Sequence, residues 1–215
     1  ILYGDYLFGK SLQLIHTKED FELLPIYSKI ARELPMGELL QKDVLEKGDT
    51  SREAYFNVID YKTSSLLGAS AYIGAKTATT KQDYTKYAEE FGRLLGRAFQ
   101  IKDDILDFEI SQVNGKKYGN DIKECKLTLP ILDYIDTLDE EIKLNVIDFV
   151  KQKDKSDEDV LQLVLDVVNS GSLTKTEEKV KYYSDKAKEV LSNLPKNQYR
   201  KILEQLVEIL IKRNN

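Results

Sequence analysis

Apolar residues recur at helical spacing along almost the whole sequence, and no stretch alternates apolar and polar residues as a half-buried strand does. Three threonines that precede long helical patterns are followed three residues later by Glu or Gln, which is the capping-box pattern of a helix start. The pairs are Thr50 with Glu53, Thr79 with Gln82, and Thr174 with Glu177. Such a chain buries its apolar stripes by packing helix on helix. The sequence therefore predicts an all-α fold.

The predicted helices account for most of the 215 residues. In chain order they cover approximately residues 1–17, 17–44, 50–74, 81–108, 128–135, 140–150, 157–168, 174–195 and 197–212. The last helix is expected to bury a stripe formed by Ile202, Leu206, Ile209 and Leu210. Because no repeat, low-complexity tract or linker divides the chain, residues 1–215 are expected to form a single domain. Helical spacing is already present directly after Ile1, so the domain is expected to be incomplete at its N-terminus.

Composition narrows the class of protein. The 37 Asp and Glu residues are interspersed with 32 Lys and Arg, for a formal net charge of −5, which argues against a nucleic-acid surface. Cys125 is the only cysteine, so an internal disulfide is excluded. No apolar run approaches the roughly 20 residues of a membrane-spanning helix. We expect a cytoplasmic protein without a transmembrane segment.

One predicted helix carries carboxylates among apolar residues. In "FQIKDDILDFE" (Phe99–Glu109), Gln100, Asp103, Asp104 and Asp107 lie at i, i+3, i+4 and i+7, on one face. Apolar residues cover much of the rest of the helix, and this apolar surface is wider than the single apolar stripe of a surface helix. We therefore expect the acidic face to line a cavity. The residues alone leave open the alternative that this face is solvated.

Two glycines in the same helix support the cavity interpretation. Gly92 and Gly96 lie one turn apart, and each costs about 1 kcal/mol in a helix interior relative to alanine. Such a cost is offset where a neighbouring helix must approach closely. The spacing therefore predicts a second helix packed tightly against this one.

Carboxylates without nearby His or Cys suit a hard cation such as Mg²⁺, which typically takes one or two carboxylates and completes its shell with water and substrate phosphates. Basic residues that could contact a phosphate lie in two other places. Lys62 stands beside Thr63 in a predicted helix, and four lysines lie in or after the loop at 111–121: Lys116, Lys117, Lys123 and Lys126. Each group alone is typical of a solvated surface. Together with the carboxylates they predict a metal-assisted site for an anion.

Five segments resemble the trans-isoprenyl diphosphate synthases, the polyprenyl synthetase family. "GRLLGRAFQIKDDILDF" (Gly92–Phe108) resembles the second aspartate-rich region of that family. The other four are "GDYLFGKSLQLI" (Gly4–Ile15), "MGELLQ" (Met36–Gln41), "VIDYKTSSLLGAS" (Val58–Ser70) and "GKKYGNDIKECKLTLP" (Gly115–Pro130). The resemblance implies an isoprenoid-synthase helical bundle around a central substrate cavity. Because "MGELLQ" resembles a segment of longer-chain members, we expect a medium- or long-chain polyprenyl diphosphate synthase.

The resemblance also implies roles for the charged residues. Asp103 resembles the direct ligand of a Mg²⁺ ion that binds the allylic diphosphate. Asp104 and Asp107 resemble supporting acids that hold metal-bound water or the loop lysines. Lys116 and Lys126 match those loop lysines, and Lys116 is the better candidate for a diphosphate contact.

Four further residues match positions near the reacting atoms. Lys62 resembles the lysine that contacts the allylic diphosphate oxygens. Thr63 and Gln100 resemble neighbours whose oxygens face the developing allylic cation. Phe99 matches an aromatic residue that lies beside both substrates. The resemblance thus implies Lys62, Thr63 and Gln100 as catalytic residues.

The implied reaction is a Mg²⁺-assisted condensation of isopentenyl diphosphate with an allylic diphosphate of the farnesyl or geranylgeranyl class, giving a trans-polyprenyl diphosphate. The implied assembly is a homodimer packed through residues 1–17 and 22–44. The first aspartate-rich motif of the family has no match in this sequence, so residues 1–215 alone are expected to be inactive. Two alternatives stay open: a non-catalytic subunit of the same fold, and a terpene cyclase, which usually lacks the patterns around Lys62 and Lys116. The sequence leaves product length and primer open.

Overall fold

The structure, a computed structural model, describes residues 2–109 and 118–212. Within these ranges the chain is helical and contains no β-strand, which confirms the predicted all-α class. The α-helices are α1 (Leu2–Thr17), α2 (Leu24–Lys47), α3 (Arg52–Ile59), α4 (Ser65–Ala78), α5 (Gln82–Leu106), α6 (Asn120–Lys123), α7 (Leu129–Ile135), α8 (Glu140–Lys151), α9 (Asp157–Asn169), α10 (Ser172–Leu191) and α11 (Gln198–Lys212). A short 3₁₀ turn at Phe21–Leu23 precedes α2, and a π-helix at Asp60–Ser64 joins α3 to α4.

Helix α5 is the centre of the fold. It packs extensively against both α4 and α10, and it also contacts α3, α7, α11 and the π-helix. Ala98, Ile101 and Ile105 on α5 are almost completely buried. Since the predicted carboxylate face lies on this same helix, the packing around α5 determines what that face meets.

Gly92 and Gly96 bring α4 and the π-helix against α5. A Cβ atom at Gly92 would lie 2.4 Å from the carbonyl oxygen of Leu67, and a Cβ atom at Gly96 would lie 2.6 Å from the Cα atom of Ser64. Both obstacles are backbone atoms, which cannot rotate away as a flexible side chain can. The close approach predicted from the two glycines is confirmed.

The predicted start at Thr50 is wrong by one residue, because Ser51 caps α3. The Ser51 hydroxyl accepts a hydrogen bond from the Ala54 N–H at 3.2 Å, which satisfies one of the first four N–H groups of the helix. The single helix predicted over 50–74 is present as a continuous helical segment, but it contains a π-helical turn that the sequence does not predict. It consists of α3, the π-helix and α4 in succession.

The two other predicted capping boxes are also displaced. Lys81 holds the N-cap position of α5, and the Thr79 hydroxyl instead accepts a hydrogen bond from the Lys81 N–H at 3.2 Å, ahead of the helix. Thr174 lies inside α10, which begins at Ser172 directly after Gly171 with its positive φ of 78°. In both cases the predicted helix is present, and its bounds differ by one to four residues from the predicted ones.

The buried face of α11 differs from the predicted stripe. Leu210 is buried as expected, but Ile202 is 57% exposed and Ile209 is 67% exposed, and Leu206 is exposed as well. The helix packs on α10 and α5 through a face that contains Val207. The reason is that apolar residues cover two overlapping stripes of α11, and helical spacing does not decide which of them meets a neighbour.

Within residues 2–109 and 118–212, none of the helices combines the length and the hydropathy that crossing a bilayer requires.

Candidate active site

Lys62 and Thr63 lie on the π-helix, which is held between α2 and α5. On one side, a Cβ atom at Gly37 of α2 would lie 2.9 Å from the Lys62 backbone nitrogen. On the other side, Gly96 of α5 meets Ser64. A π-helix is rare and occurs mostly as a single turn at functional sites. Here it turns Lys62 toward α2 and Thr63 toward α5.

The Lys62 ammonium group contacts two residues of the "MGELLQ" segment. Its Nζ atom lies 2.9 Å from Glu38 Oε1 and donates a hydrogen bond of 2.9 Å to Gln41 Oε1. The carboxylate of Glu38 is well exposed, so this ion pair faces solvent. Three residues of one short motif, Gly37 included, therefore position Lys62.

A chain of hydrogen bonds links Thr63 to the acidic face of α5. The Thr63 hydroxyl donates to Gln100 Oε1 at 2.7 Å, and Gln100 Nε2 donates to Asp104 Oδ1 at 3.0 Å. The Tyr55 hydroxyl donates to the other oxygen of Asp104 at 2.7 Å. Gln100 is thereby fixed with its amide oxygen toward Thr63. Sequence reasoning missed Tyr55, although an aromatic residue with one polar group is suited to satisfying a buried carboxylate.

Asp104 is buried, with 3% of its surface exposed. Burial, followed by the negative charge of Asp121, raises the pKa of Asp104 to about 7, although the hydrogen bonds from Tyr55 and Gln100 oppose this rise. Burial, followed by the negative charge of Asp104, raises the pKa of Tyr55 well above its ordinary value.

Asp107 is hydrogen-bonded to the backbone at the start of α6. Its Oδ1 atom accepts the Asn120 N–H at 3.0 Å, and its Oδ2 atom accepts the Asp121 N–H at 2.9 Å. Burial raises the pKa of Asp107, while these backbone hydrogen bonds lower it. Asp103, by contrast, is exposed. The three aspartates on one face therefore have three different environments.

Lys126 is paired with carboxylates after the loop. Its Nζ atom lies 2.8 Å from Asp121 Oδ1 and 2.7 Å from Glu124 Oε2. Burial alone lowers the pKa of Lys126, but the bonds to the two carboxylates outweigh it and raise the pKa above its ordinary value. Lys116 lies outside the described residues. Phe99 is on α5 and 37% exposed.

A cavity of about 60 Å³ lies where these groups meet. Its polar walls come from Tyr55, Lys62, Gln100, Asp104, Asp121, Lys126 and Thr128, and its apolar walls come from Val44, Leu45, Val58, Ile59 and Leu127. A more open groove of about 390 Å³ continues past Lys62 and Lys126 to the surface. The buried hydroxyl of Thr128 has no hydrogen-bond partner within the described ranges. Of the predicted acidic face, Gln100 and Asp104 line this cavity, whereas Asp103 is exposed and Asp107 is not part of the cavity wall. A groove leads from both lysines to solvent.

The carboxylates fit a metal that a substrate helps to bind. No group of three or more His, Cys, Asp or Glu side chains in the described part of the chain could enclose a metal ion. Asp104 and Asp107 accept hydrogen bonds from the protein, and Asp103 is the exposed member of the set. Mg²⁺ commonly binds through one or two carboxylates together with waters and substrate phosphates. The arrangement matches that mode and does not match an all-protein cage.

Comparisons with known proteins agree with this geometry. The sequence profile described as "Polyprenyl synthetase" matches residues 1–167. The chain is 33% identical to the chloroplastic solanesyl-diphosphate synthase 2 of Oryza sativa subsp. japonica, over 99% of this chain and 52% of the relative. It is 30% identical to the octaprenyl diphosphate synthase of Escherichia coli (strain K12), over 100% of this chain and 66% of the relative. The chain thus spans between half and two thirds of these relatives.

Solved structures share the helical bundle. The geranylgeranyl pyrophosphate synthase from Bacteroides thetaiotaomicron superposes with a TM-score of 0.91 at 31% identity, over 99% of this chain and 70% of that one. A polyprenyl synthase from Caulobacter crescentus CB15, complexed with calcium and isoprenyl diphosphate, gives a TM-score of 0.91 at 29% identity, over 100% of this chain and 66% of that one. Both superpositions cover nearly the whole described chain.

Proposed function

Because this chain belongs to the polyprenyl synthetase family, we propose that it condenses isopentenyl diphosphate with an allylic diphosphate to make a trans-polyprenyl diphosphate. The observation that carries this proposal is the meeting of Lys62, Gln100 and Asp104 at one cavity, with Thr63 hydrogen-bonded to Gln100. A lysine at the cavity edge suits a diphosphate, and oxygens inside it suit a developing cation. The allylic substrate is proposed to be of the farnesyl or geranylgeranyl class.

Lys62 and Lys126 are proposed to hold the diphosphate. Both ammonium groups are reached from the groove, and each is paired with a carboxylate that the substrate phosphates can replace. Loss of pyrophosphate leaves an allylic cation, which the carbonyl oxygen of Gln100 and the hydroxyl oxygen of Thr63 stabilise. The double bond of isopentenyl diphosphate attacks this cation, and loss of a proton completes the step. Phe99 and Lys116 are proposed to contact the substrates.

Water would quench the cation, so the reacting carbons need a dry environment. Val58 and Ile59 of α3 are buried and form part of the cavity wall beside Tyr55. Tyr55 donates its only hydroxyl proton to Asp104, and so presents its ring without a free polar hydrogen. These contacts support exclusion of water from the inner end of the cavity.

Asp103 is proposed as the Mg²⁺ ligand of this chain, with Asp104 and Asp107 supporting it. A bound Mg²⁺ ion supplies positive charge against the departing pyrophosphate. The role of Asp104 is then to orient Gln100, and the role of Asp107 is to hold the loop that carries the lysines. This division follows from exposure, because only Asp103 of the three is exposed.

The test is calorimetric binding of inorganic pyrophosphate with and without Mg²⁺. Asp103→Ala is expected to abolish the Mg²⁺-dependent part of binding with unchanged helical circular dichroism. Asp185→Ala is the matched control, since Asp185 is an exposed aspartate inside α10. Equal pyrophosphate affinity in the Asp103→Ala protein and the parent would contradict the assignment.

Turnover is tested separately with radiolabelled isopentenyl diphosphate and farnesyl diphosphate. Residues 1–215 contain the second aspartate-rich region of the family but no match to the first. We therefore propose that residues 1–215 alone do not elongate the primer. Removal of one electrostatic contact at such sites typically costs roughly 3–4 kcal/mol, or more than a hundredfold in rate. Incorporation by residues 1–215 at the rate of a full-length relative would contradict this proposal.

A homodimer is the proposed assembly. No residue of α1 is buried within the described chain, and Leu2, Tyr3 and Tyr6 are more than half exposed. Large apolar side chains concentrated on one helix are typical of an interaction surface. Light scattering at micromolar concentration is expected to give the mass of a dimer, and a monomer would contradict the proposal.

A further inference from the structure

The π-helix that carries Lys62 and Thr63 is fastened from behind by an ion pair. Arg97 of α5 donates from Nε to Asp60 Oδ1 at 2.7 Å and from Nη2 to Asp60 Oδ2 at 2.5 Å. Asp60 is the first residue of the π-helix, and its carbonyl oxygen accepts the Ser65 N–H, which closes the wide turn. The ion pair therefore ties the start of the irregular turn to the central helix.

Two aromatic rings hold the guanidinium group in place. The Arg97 guanidinium carbon lies 5.5 Å from the centre of the Phe56 ring and 5.3 Å from the centre of the Tyr183 ring. The rings belong to α3 and α10 and lie 5.6 Å apart. A planar guanidinium group is suited both to stacking on aromatic rings and to a two-pronged bond with a carboxylate. The Arg97 guanidinium group is thus held by α3 and α10 in addition to its ion pair with Asp60.

The Asp60–Arg97 ion pair is one of several contacts between α5 and the π-helix. Three α5 residues within five positions meet the π-helix: Gly96 meets Ser64, Arg97 binds Asp60, and Gln100 accepts from Thr63. The extra residue of a π turn rotates everything after it by about one residue, or 100°, relative to a regular α-helix. Without the extra residue, Lys62 and Thr63 would not face α2 and α5 as they do. An irregular turn of this kind persists when its surroundings determine it.

We propose that Arg97 and Asp60 are positioning residues for the site, and that their ion pair fixes the π-helical register which directs Lys62 toward the diphosphate and Thr63 toward Gln100. This inference rests on the proposed function, because the roles of Lys62 and Thr63 come from it. Neither Arg97 nor Asp60 lines the cavity of about 60 Å³, so they act through the π-helix.

The experiment compares variants of this pair by the affinity of the folded protein for inorganic pyrophosphate in the presence of Mg²⁺. Arg97→Met removes the ion pair, and Arg97→Lys keeps the charge while losing the two-pronged bond. Both are expected to weaken binding about tenfold at a temperature well below their unfolding midpoints. Arg93→Met is the matched control, since Arg93 lies one turn earlier on α5 and pairs with Glu89 of its own helix. It is expected to bind within twofold of the parent.

A purely structural role would lower the unfolding midpoint and leave the affinity of the folded protein unchanged. A lower unfolding midpoint with unchanged affinity in both Arg97→Lys and Asp60→Asn would overturn the inference. If Arg97→Met does not fold, Asp60→Asn replaces it as the variant without the ion pair. The exchange of both residues, Asp60→Arg with Arg97→Asp, is expected to recover at least part of the lost affinity. Failure of the parent itself to bind Mg²⁺ and pyrophosphate would count against the proposed function and not against the register.

A crystal structure of Arg97→Lys provides the direct readout. We expect residues 60–64 to change from a π turn toward a regular α-helix, with the Thr63–Gln100 hydrogen bond broken. A π turn and a Thr63–Gln100 bond that match the parent would overturn the inference, whatever the affinity.

Discussion

The substitution Gly96→Ala tests the packing on which the whole site depends. A Cβ atom at position 96 would lie 2.6 Å from Ser64 Cα and 3.2 Å from both Ser64 Cβ and the Ser64 nitrogen. Overpacking of this kind costs about 1–3 kcal/mol. The upper part of that range applies, since the obstacle is backbone held between two helices. Alanine recovers about 1 kcal/mol through its helix propensity, so the expected net loss is about 1–2 kcal/mol.

Gly74→Ala is the matched control. Gly74 also lies inside a helix, α4, but no atom lies within 4 Å of the position that its Cβ would take. The propensity gain of about 0.5–1 kcal/mol is therefore not opposed, and the protein should become more stable. The two glycine-to-alanine changes are thus predicted to have opposite signs.

The assay is urea unfolding followed by circular dichroism, with the midpoint compared at constant slope. In thermal unfolding, a loss of about 1–2 kcal/mol corresponds to a midpoint lowered by about 2–8 °C for a domain of this size. The Gly96→Ala protein should also bind pyrophosphate more weakly, because Ser64 and the π-helix must shift. A Gly96→Ala protein as stable as the parent, with Gly74→Ala behaving as predicted, would refute the packing argument.

Two further predictions concern single side chains. The pKa of Asp104 is about 7 in the folded chain and about 3.9 in an unfolded chain. Between these two pH values the folded state binds more protons than the unfolded state. The free energy of unfolding therefore falls as the pH rises from about 4 to about 7. The asparagine of Asp104→Asn cannot ionise, so this variant should lose less stability between pH 4 and pH 8, by on the order of 4 kcal/mol. Urea unfolding at the two pH values measures the difference, and a pH dependence equal to that of the parent would contradict the burial argument. Cys125 has a positive φ of 59°, which costs a non-glycine residue on the order of 1 kcal/mol. Cys125→Gly should therefore raise the urea midpoint slightly, and a lower midpoint would show that the thiol contact with the Gln152 carbonyl outweighs the strain.

The features that the sequence predicts well are those encoded within one helix. The apolar spacing of α5 and its two glycines are local patterns, and the structure has them as predicted. The acidic face lies on α5 as predicted, but only Gln100 and Asp104 of that face line the cavity. The buried stripe of α11 was predicted wrongly, because its choice depends on how α10 and α5 are placed. Local periodicity shows that a helix has an apolar face, but tertiary contacts select which residues of a wide face are covered.

The features that the sequence does not predict join distant positions. The Tyr55–Asp104 bond spans 49 residues, and the Arg97–Asp60 bond spans 37. The π-helix depends on contacts from α2 and α5 at once, so no motif within Asp60–Ser64 indicates it. The resemblance named Lys62 and Thr63, but only the fold shows that an irregular turn is what directs them to different neighbours.

The two described lysines of the site are held in unequal ways, and the difference bears on how an anion enters. Glu38, the ion-pair partner of Lys62, is 58% exposed. Of the two partners of Lys126, Glu124 is 63% exposed and Asp121 is 18% exposed. An exposed ion pair contributes little because water competes with it, and a more buried one is screened less. A diphosphate that enters along the groove therefore displaces Glu38 from Lys62 and Glu124 from Lys126 more readily than it displaces Asp121 from Lys126. The backbone N–H of Asp121 also donates a hydrogen bond to Asp107 Oδ2, which helps to position Asp121. Lys126 is thus suited to exchanging Glu124 for a substrate phosphate while it stays bonded to Asp121 of α6, and Lys62 is suited to exchanging Glu38.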